Sequence, residues 1–159
     1  MKKRNLIVLC VAVCFLGVIF FSKGLMPSKT ITELNQPYNG SVLKITATEI
    51  KAVESPSGTN DEIIIGVKFV VENVSRKEWQ QTRQGMTAYV DDVAQPQKYD
   101  TKHFSDSLEG RIAPGKFTIG YYCVQASKNA KLIEIHFDEV SNKKTAIFIL
   151  DIPSIEQDT

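Results

Sequence analysis

The stretch Glu62–Glu72 constrains most strongly what this chain can fold into. Ile63, Ile65, Val67, Phe69 and Val71 recur at every second residue, a period that fits a strand with one buried face and fits no helix. The other face mixes Glu62, Lys68 and Glu72 with Ile64, Gly66 and Val70, so this strand is expected to be partly covered on both sides. Further segments read as its neighbours. Ser41–Val53 is rich in β-formers with imperfect alternation, which predicts a bulge or a change of face near Ala47. Met86–Val90 is a shorter strand ending at the Asp91-Asp92 turn. Phe117–Val124 alternates with Phe117, Ile119, Tyr121 and Cys123 on one face, the expected core face. Lys131–Phe137 aligns Ile133, Ile135 and Phe137, and Thr145–Ile152 aligns Ala146, Phe148, Leu150 and Ile152.

Turn formers separate these runs. Ser55–Asp61 is a dense cluster, and Pro114-Gly115 suits a type II turn because proline presets φ while glycine accepts a positive one. Gln95–Leu108 keeps no period and is expected to be a long excursion over one edge. No segment after Lys23 holds a 3.6-residue apolar period over three turns, so helices there are short or absent. Six or seven short strands between turn clusters predict an all-β antiparallel sandwich, its last strand an edge guarded by the polar tail of residues 154–159.

A different kind of segment precedes this domain. Leu6–Phe21 is an uncharged apolar run of 16 residues. As a helix it would reach about 24 Å, short of a ~30 Å hydrocarbon core unless it extends to Met26 with Lys23 at the interface. Residues 1–26 therefore read as a transmembrane or signal helix, with anchor and cleaved signal peptide both open. The anchor is favoured because Phe20-Phe21-Ser22-Lys23 offers a peptidase no small-x-small site. Lys2, Lys3 and Arg4 keep the N-terminus in the cytoplasm and send the remainder out. Residues 27–40 read as a polar tether and residues 41–153 as the sandwich. The expected location is the cell membrane, single-pass with the domain outside, or alternatively the secreted fraction.

Charge follows the same division. The whole chain carries +1, yet after Lys23 it has 15 basic and 18 acidic residues, a net charge of −3. An acidic domain behind a basic leader argues against nucleic-acid binding. Cys10 and Cys14 lie within the apolar run, preceded by Leu9 and Val13 where lipid attachment needs a small residue. Cys123 alone remains in the domain, so no internal disulfide can staple it, and its phase with Phe117, Ile119 and Tyr121 marks it as core.

The long strand ending in Glu72-Asn73-Val74-Ser75, and the Gly110-Arg111-Ile112-Ala113-Pro114-Gly115-Lys116 turn before an aromatic-rich strand, resemble a family of exported bacterial immunoglobulin-like domains. That family is abundant among Gram-positive lipoproteins and membrane-anchored proteins and is largely of unknown function. Some members carry a misleading telomere-repeat-binding name, and the fold is similar to that of a mycobacterial immunoprotective antigen. The resemblance covers roughly residues 42–152. It implies an immunoglobulin-like sandwich and supplies no catalytic residues.

Candidate chemistry is sparse. His103 and His136 are the two histidines, and a hydrolase or metal site built on them is the alternative to a non-catalytic protein. Asp91-Asp92 could ligate calcium or simply make a turn. Asn39-Gly40-Ser41 and Asn73-Val74-Ser75 match a glycosylation sequon. No glycine-rich phosphate loop, G-x-S-x-G elbow or H-E-x-x-H is present, so no enzyme activity and no cofactor or metal is expected. Exposed aromatics anchor interfaces, and Trp79, Tyr99 and Phe104 are the candidate contacts to a protein or cell-envelope partner, with Trp79 alternatively capping the core. The expectation is a membrane-tethered binding domain that performs no chemistry.

Overall fold

The alternating stripe becomes the centre of the molecule. In a computed structural model, residues 28–56, 61–82, 85–98, 100, 102–104, 106, 108–139 and 144–155 are described. The apolar leader, with Cys10 and Cys14, and the last four residues lie outside them. Among the described residues, no helix is long and apolar enough to cross a membrane. The described residues form twelve strands: β1 (Lys29–Ile31), β2 (Pro37–Asn39), β3 (Leu43–Glu54), β4 (Glu62–Asn73), β5 (Trp79–Gln81), β6 (Met86–Val90), β7 (Val93–Gln95), β8 (Gln97–Lys98), β9 (Gly110–Ile112), β10 (Phe117–Ser127), β11 (Leu132–Glu139) and β12 (Lys144–Asp151).

Two five-stranded sheets form, in the orders β1-β12-β11-β6-β7 and β2-β3-β4-β10-β8, and β5 pairs β9 in a small third sheet. Ile63, Ile65, Val67, Phe69 and Val71 are all at most 1% exposed. They face Ile133, Ile135 and Phe137 of β11 and Ala146, Phe148 and Leu150 of β12 in one continuous core. At its centre the Phe69 ring packs edge-on against Phe137 at 5.5 Å and Phe148 at 5.2 Å, joining the two sheets. The bulge expected near Ala47 is present. Register slips between Ala47 and Glu49, and the hydroxyl of the extra residue, Thr48, donates to the Lys68 carbonyl at 3.3 Å.

The turns obey their residues. Lys116 N–H donates to the Ala113 carbonyl across Pro114-Gly115, and Gly115 adopts φ 69°. Asp91 and Asp92 take φ 45° and 67°, the two-residue reversal that joins β6 to β7.

Four expectations need correction. The tether is built into the fold: β1 pairs β12, β2 pairs β3, and Ile31 and Tyr38 are buried. The last strand is consequently interior, between β11 and β1, and the β1–β12 pair is parallel within an otherwise antiparallel sandwich. Residues 95–108 do more than cross an edge. They leave β6 in one sheet, pair β10 in the other through β8, and place Phe104 on that sheet's outer face. Finally, β10 faces the opposite way. Tyr122, Val124 and Ala126 join the central core, while Phe117 is 63% and Ile119 40% exposed. Both faces of this strand are apolar, so alternation alone did not distinguish them.

Asn73 ties one end of the sandwich together. Its side chain is fully buried. Its Nδ2 donates to the carbonyls of Lys77 and Ile112, each at 2.8 Å. Its Oδ1 accepts from the Ser75 N–H at 2.9 Å and hydroxyl at 2.7 Å. Its backbone exchanges bonds with Lys116 and Gly115. The sequon there is thus occupied by packing, because the amide nitrogen that would carry a glycan is committed inside. Asn73→Ala is expected to lower the unfolding free energy by about 3 kcal/mol, and Ser75→Ala by about 1, since the first strands the buried Ile112 carbonyl and also removes the bonds to Lys77 and Ser75. Urea denaturation of both variants checks this; equal small losses would refute it.

Candidate functional site

The outer face of the β3-β4-β10 sheet carries most of the polar and aromatic chemistry. Gly66 opens a pit at its centre. A Cβ there would lie 2.4 Å from the Phe104 ring, so only glycine lets the ring seat against the strand. Phe104, Ile64 and Cys123 are buried together, with Val53 and Tyr121 packed around them. Tyr121 lies 5.0 Å from Phe104, centroid to centroid, and Lys68 Nζ stands 5.2 Å above its ring. The Tyr121 hydroxyl donates to Glu49 at 2.8 Å, and Lys51 pairs with the same carboxylate at 2.6 Å. These two bonds, that from Lys51 foremost, hold Glu49 below the usual carboxylate range. Burial, then the bond to Glu49, pushes the Tyr121 phenol up to about 12.

The segment carrying Phe104 is held by Asp100, whose carboxylate receives the N–H of Lys102 at 3.0 Å and of His103 at 3.3 Å. It also bonds His103 Nδ1 at 2.6 Å. Burial favours the neutral acid, yet the bonds from His103 and Lys102 prevail and hold Asp100 below its ordinary range. His103 therefore orients a loop. Cys123 is no activated nucleophile: burial, with Asp100 adding to it, pushes its thiol up to about 12, opposite to the shift that reactivity needs. Cys123 is buried as expected, but beneath Phe104 on the outer face and not in the central core.

His136 lies on the outer face of the other sheet, where its Nε2 bonds Glu134 and its ring lies 5.3 Å from Tyr89. The two histidines thus lie on opposite faces of the sandwich, each with its own carboxylate. Among the described residues, no three histidine, cysteine or carboxylate side chains are grouped to hold a metal. The Asp91 carboxylate accepts from the N–H groups of Lys131 and Leu132, at 3.3 and 3.0 Å, and so fastens a hairpin. An open groove of about 470 Å³ runs past Glu62, Lys98, Gln125 and Ser127. Gln125 already bonds Glu62 there.

The aromatic candidates separate. Phe104 is 5% exposed and fills the Gly66 pit, so it is not a surface anchor. Trp79 is half-buried against the central core with its Nε1 donating to Gln81 at 3.1 Å, the capping role. Tyr99 lies outside the described residues. Among the described residues the large apolar side chains that reach solvent are Leu34, Val93, Val74 beyond β4 at 46%, and Phe117 and Ile119, whose strand alternates like a core strand.

Neither a protein-family model nor a curated protein sequence matches the chain. Solved structures do. A candidate lipoprotein of Bacillus subtilis (ycdA) superposes with a TM-score of 0.63 at 16% identity, over 75% of this chain and 39% of that one. The yjhA protein of the same organism matches with a TM-score of 0.65 at 12% identity, over 76% and 100%. An uncharacterised β-sandwich protein of Clostridium difficile gives 0.52 at 9% identity, over 81% and 98%. At these identities the likeness establishes the fold, an all-β sandwich. The chain spans well under half of the first of these proteins.

Two outcomes follow from the plugged pit. Gly66→Ala is expected to expel Phe104 and expose Cys123 to alkylation, read by mass spectrometry of the labelled peptide; a thiol still protected would refute the plug. An unfolded thiol ionises at about 8.5, and the folded one at about 12. In between, the folded state keeps a proton that the unfolded state has lost, so stability falls as pH rises through this window. Cys123→Ala should flatten that fall in a series of urea midpoints, leaving the part due to Tyr121 and Tyr122, whose phenols burial also pushes up.

Proposed function

We propose that this chain is a non-catalytic, extracytoplasmic binding domain of immunoglobulin-like type, held at a bacterial cell membrane by its N-terminal apolar helix and contacting a protein or another component of the cell envelope. The observation that carries this reading is the fate of the reactive side chains. His103 and His136 are each engaged by a neighbouring carboxylate on opposite faces, and Cys123 is buried with its thiol held neutral. Phe117, Ile119 and Val74 present apolar surface to solvent on β10 and at the Asn73 end, the kind of patch that marks contact with another body. Similarity to a candidate lipoprotein of Bacillus subtilis agrees with an envelope location.

A C-terminal reporter that is active only outside the cytoplasm tests the topology: activity is expected, and activity of a cytoplasm-only reporter in its place would overturn it. His103→Ala/His136→Ala tests the absence of chemistry. Whole-cell crosslinking should capture the same partners from the double variant as from the parent chain, while loss of the cellular phenotype with the fold intact would favour a histidine-dependent hydrolase or metal protein.

A further inference from the structure

One end of the sandwich is basic and apolar together, and the chain path places the leader at that end. β1 runs from Lys29, beside Ala146 and thus in the Phe137–Met86 row, toward Ile31. After the turn at Asn35, whose N–H bonds the Ala47 carbonyl, β2 runs back and finishes with Asn39 beside Lys44. Lys44 pairs with Glu72, which pairs with Phe117. Ser28 and Phe117 therefore share an end, the one that Asn73 closes.

Two loops project there from the Asn73 knot, and each combines cations with an apolar side chain. One carries Val74, Arg76 and Lys77, and the other Lys116 and Phe117, all exposed. Among the described residues these three cations form no ion pair, whereas of the acids at this end Glu72 and Glu78 are taken up by Lys44 at 3.8 Å and Arg111 at 3.7 Å, and Asp138 accepts from the Thr145 hydroxyl at 2.8 Å. The opposite end carries more acids than bases, with Glu54, Asp61, Glu62, Asp91, Asp92 and Asp151 against Lys128 and Lys131, and with the exposed apolar side chain Val93. The domain is thus polar end to end although its total charge is only −3. The apolar run stops at Phe21, seven residues before Ser28, a span of at most about 25 Å.

We propose that this end docks on an anionic lipid surface, with Phe117 and Val74 at the headgroup level and Arg76, Lys77 and Lys116 against the lipid phosphates. The placement rests on the leader being a membrane helix. Charge complementarity and the short connection select the bilayer as occupant: each cation near an anionic surface strengthens attraction about fivefold, and the far end would be repelled.

The full chain carrying Trp79→Phe and Phe117→Trp, reconstituted into phosphatidylglycerol vesicles, reports on this directly. Bromine on the lipid acyl chains should quench the tryptophan strongly. Quenching should fall severalfold in phosphatidylcholine vesicles, and likewise after Arg76→Glu/Lys77→Glu/Lys116→Glu. Circular dichroism verifies that each variant is folded. A chain that floats with the vesicles but stays unquenched overturns the docking face alone, and points to a protein or wall polymer as the occupant. A chain that does not float overturns the anchor, and the docking with it.

Discussion

The buried amide of Asn73 is the interaction on which the rest of this structure depends. A strand as apolar as β4 has no internal reason to stop where it does, and its last residue must hand the chain into two loops without stranding polar groups. Asn73 does so by spending both donor hydrogens and its acceptor oxygen within the fold. The same residue sets where β10 begins, through its backbone bonds to Gly115 and Lys116. Because burial makes an unmatched amide or carbonyl costly, the arrangement allows little variation. It also gives a physical account of the Glu72-Asn73-Val74-Ser75 and Gly110–Lys116 segments: they are the two halves of one knot.

Within the sandwich so closed, Phe69 between Phe137 and Phe148 supplies the contact between layers. With no disulfide available, this interlocking of rings and branched aliphatics takes the place of covalent staples. The core is large enough for that, since it draws side chains from both five-stranded sheets and from the short β1 and β2 at their borders.

Much of this fold was legible in the residues, and the failures have a common cause. β4 was legible because its two faces differ sharply, and the bulge at Ala47 because a phase change shows within a single strand. β10 was not: Phe117, Ile119 and Tyr121 look more like core than Gly120, Tyr122 and Val124 do, and only the partner sheet decides. β1 and β2 are three residues each, too short for a period to emerge. The candidate site suffered in the same way. Phe104 reads as an exposed aromatic in a polar loop, and the pit that accepts it is created by Gly66, nearly forty residues earlier, whose meaning lies in a missing Cβ. The carboxylate partners of the histidines, by contrast, sit two and three residues away in sequence and were within reach of inspection.

The strands that border the two sheets are also short: three residues in β1, β2 and β7, two in β8. Pro37 opens β2 and Pro96 separates β7 from β8, removing backbone donors where a foreign strand would have to attach. Crowding in two dimensions favours zippering between identical neighbours, as confinement raises the frequency of edge encounters. Where those short strands stand, such encounters find only two or three rungs to hold. The stretches of β3 and β10 that β2 and β8 leave uncovered are the margins where a second copy would have to take hold.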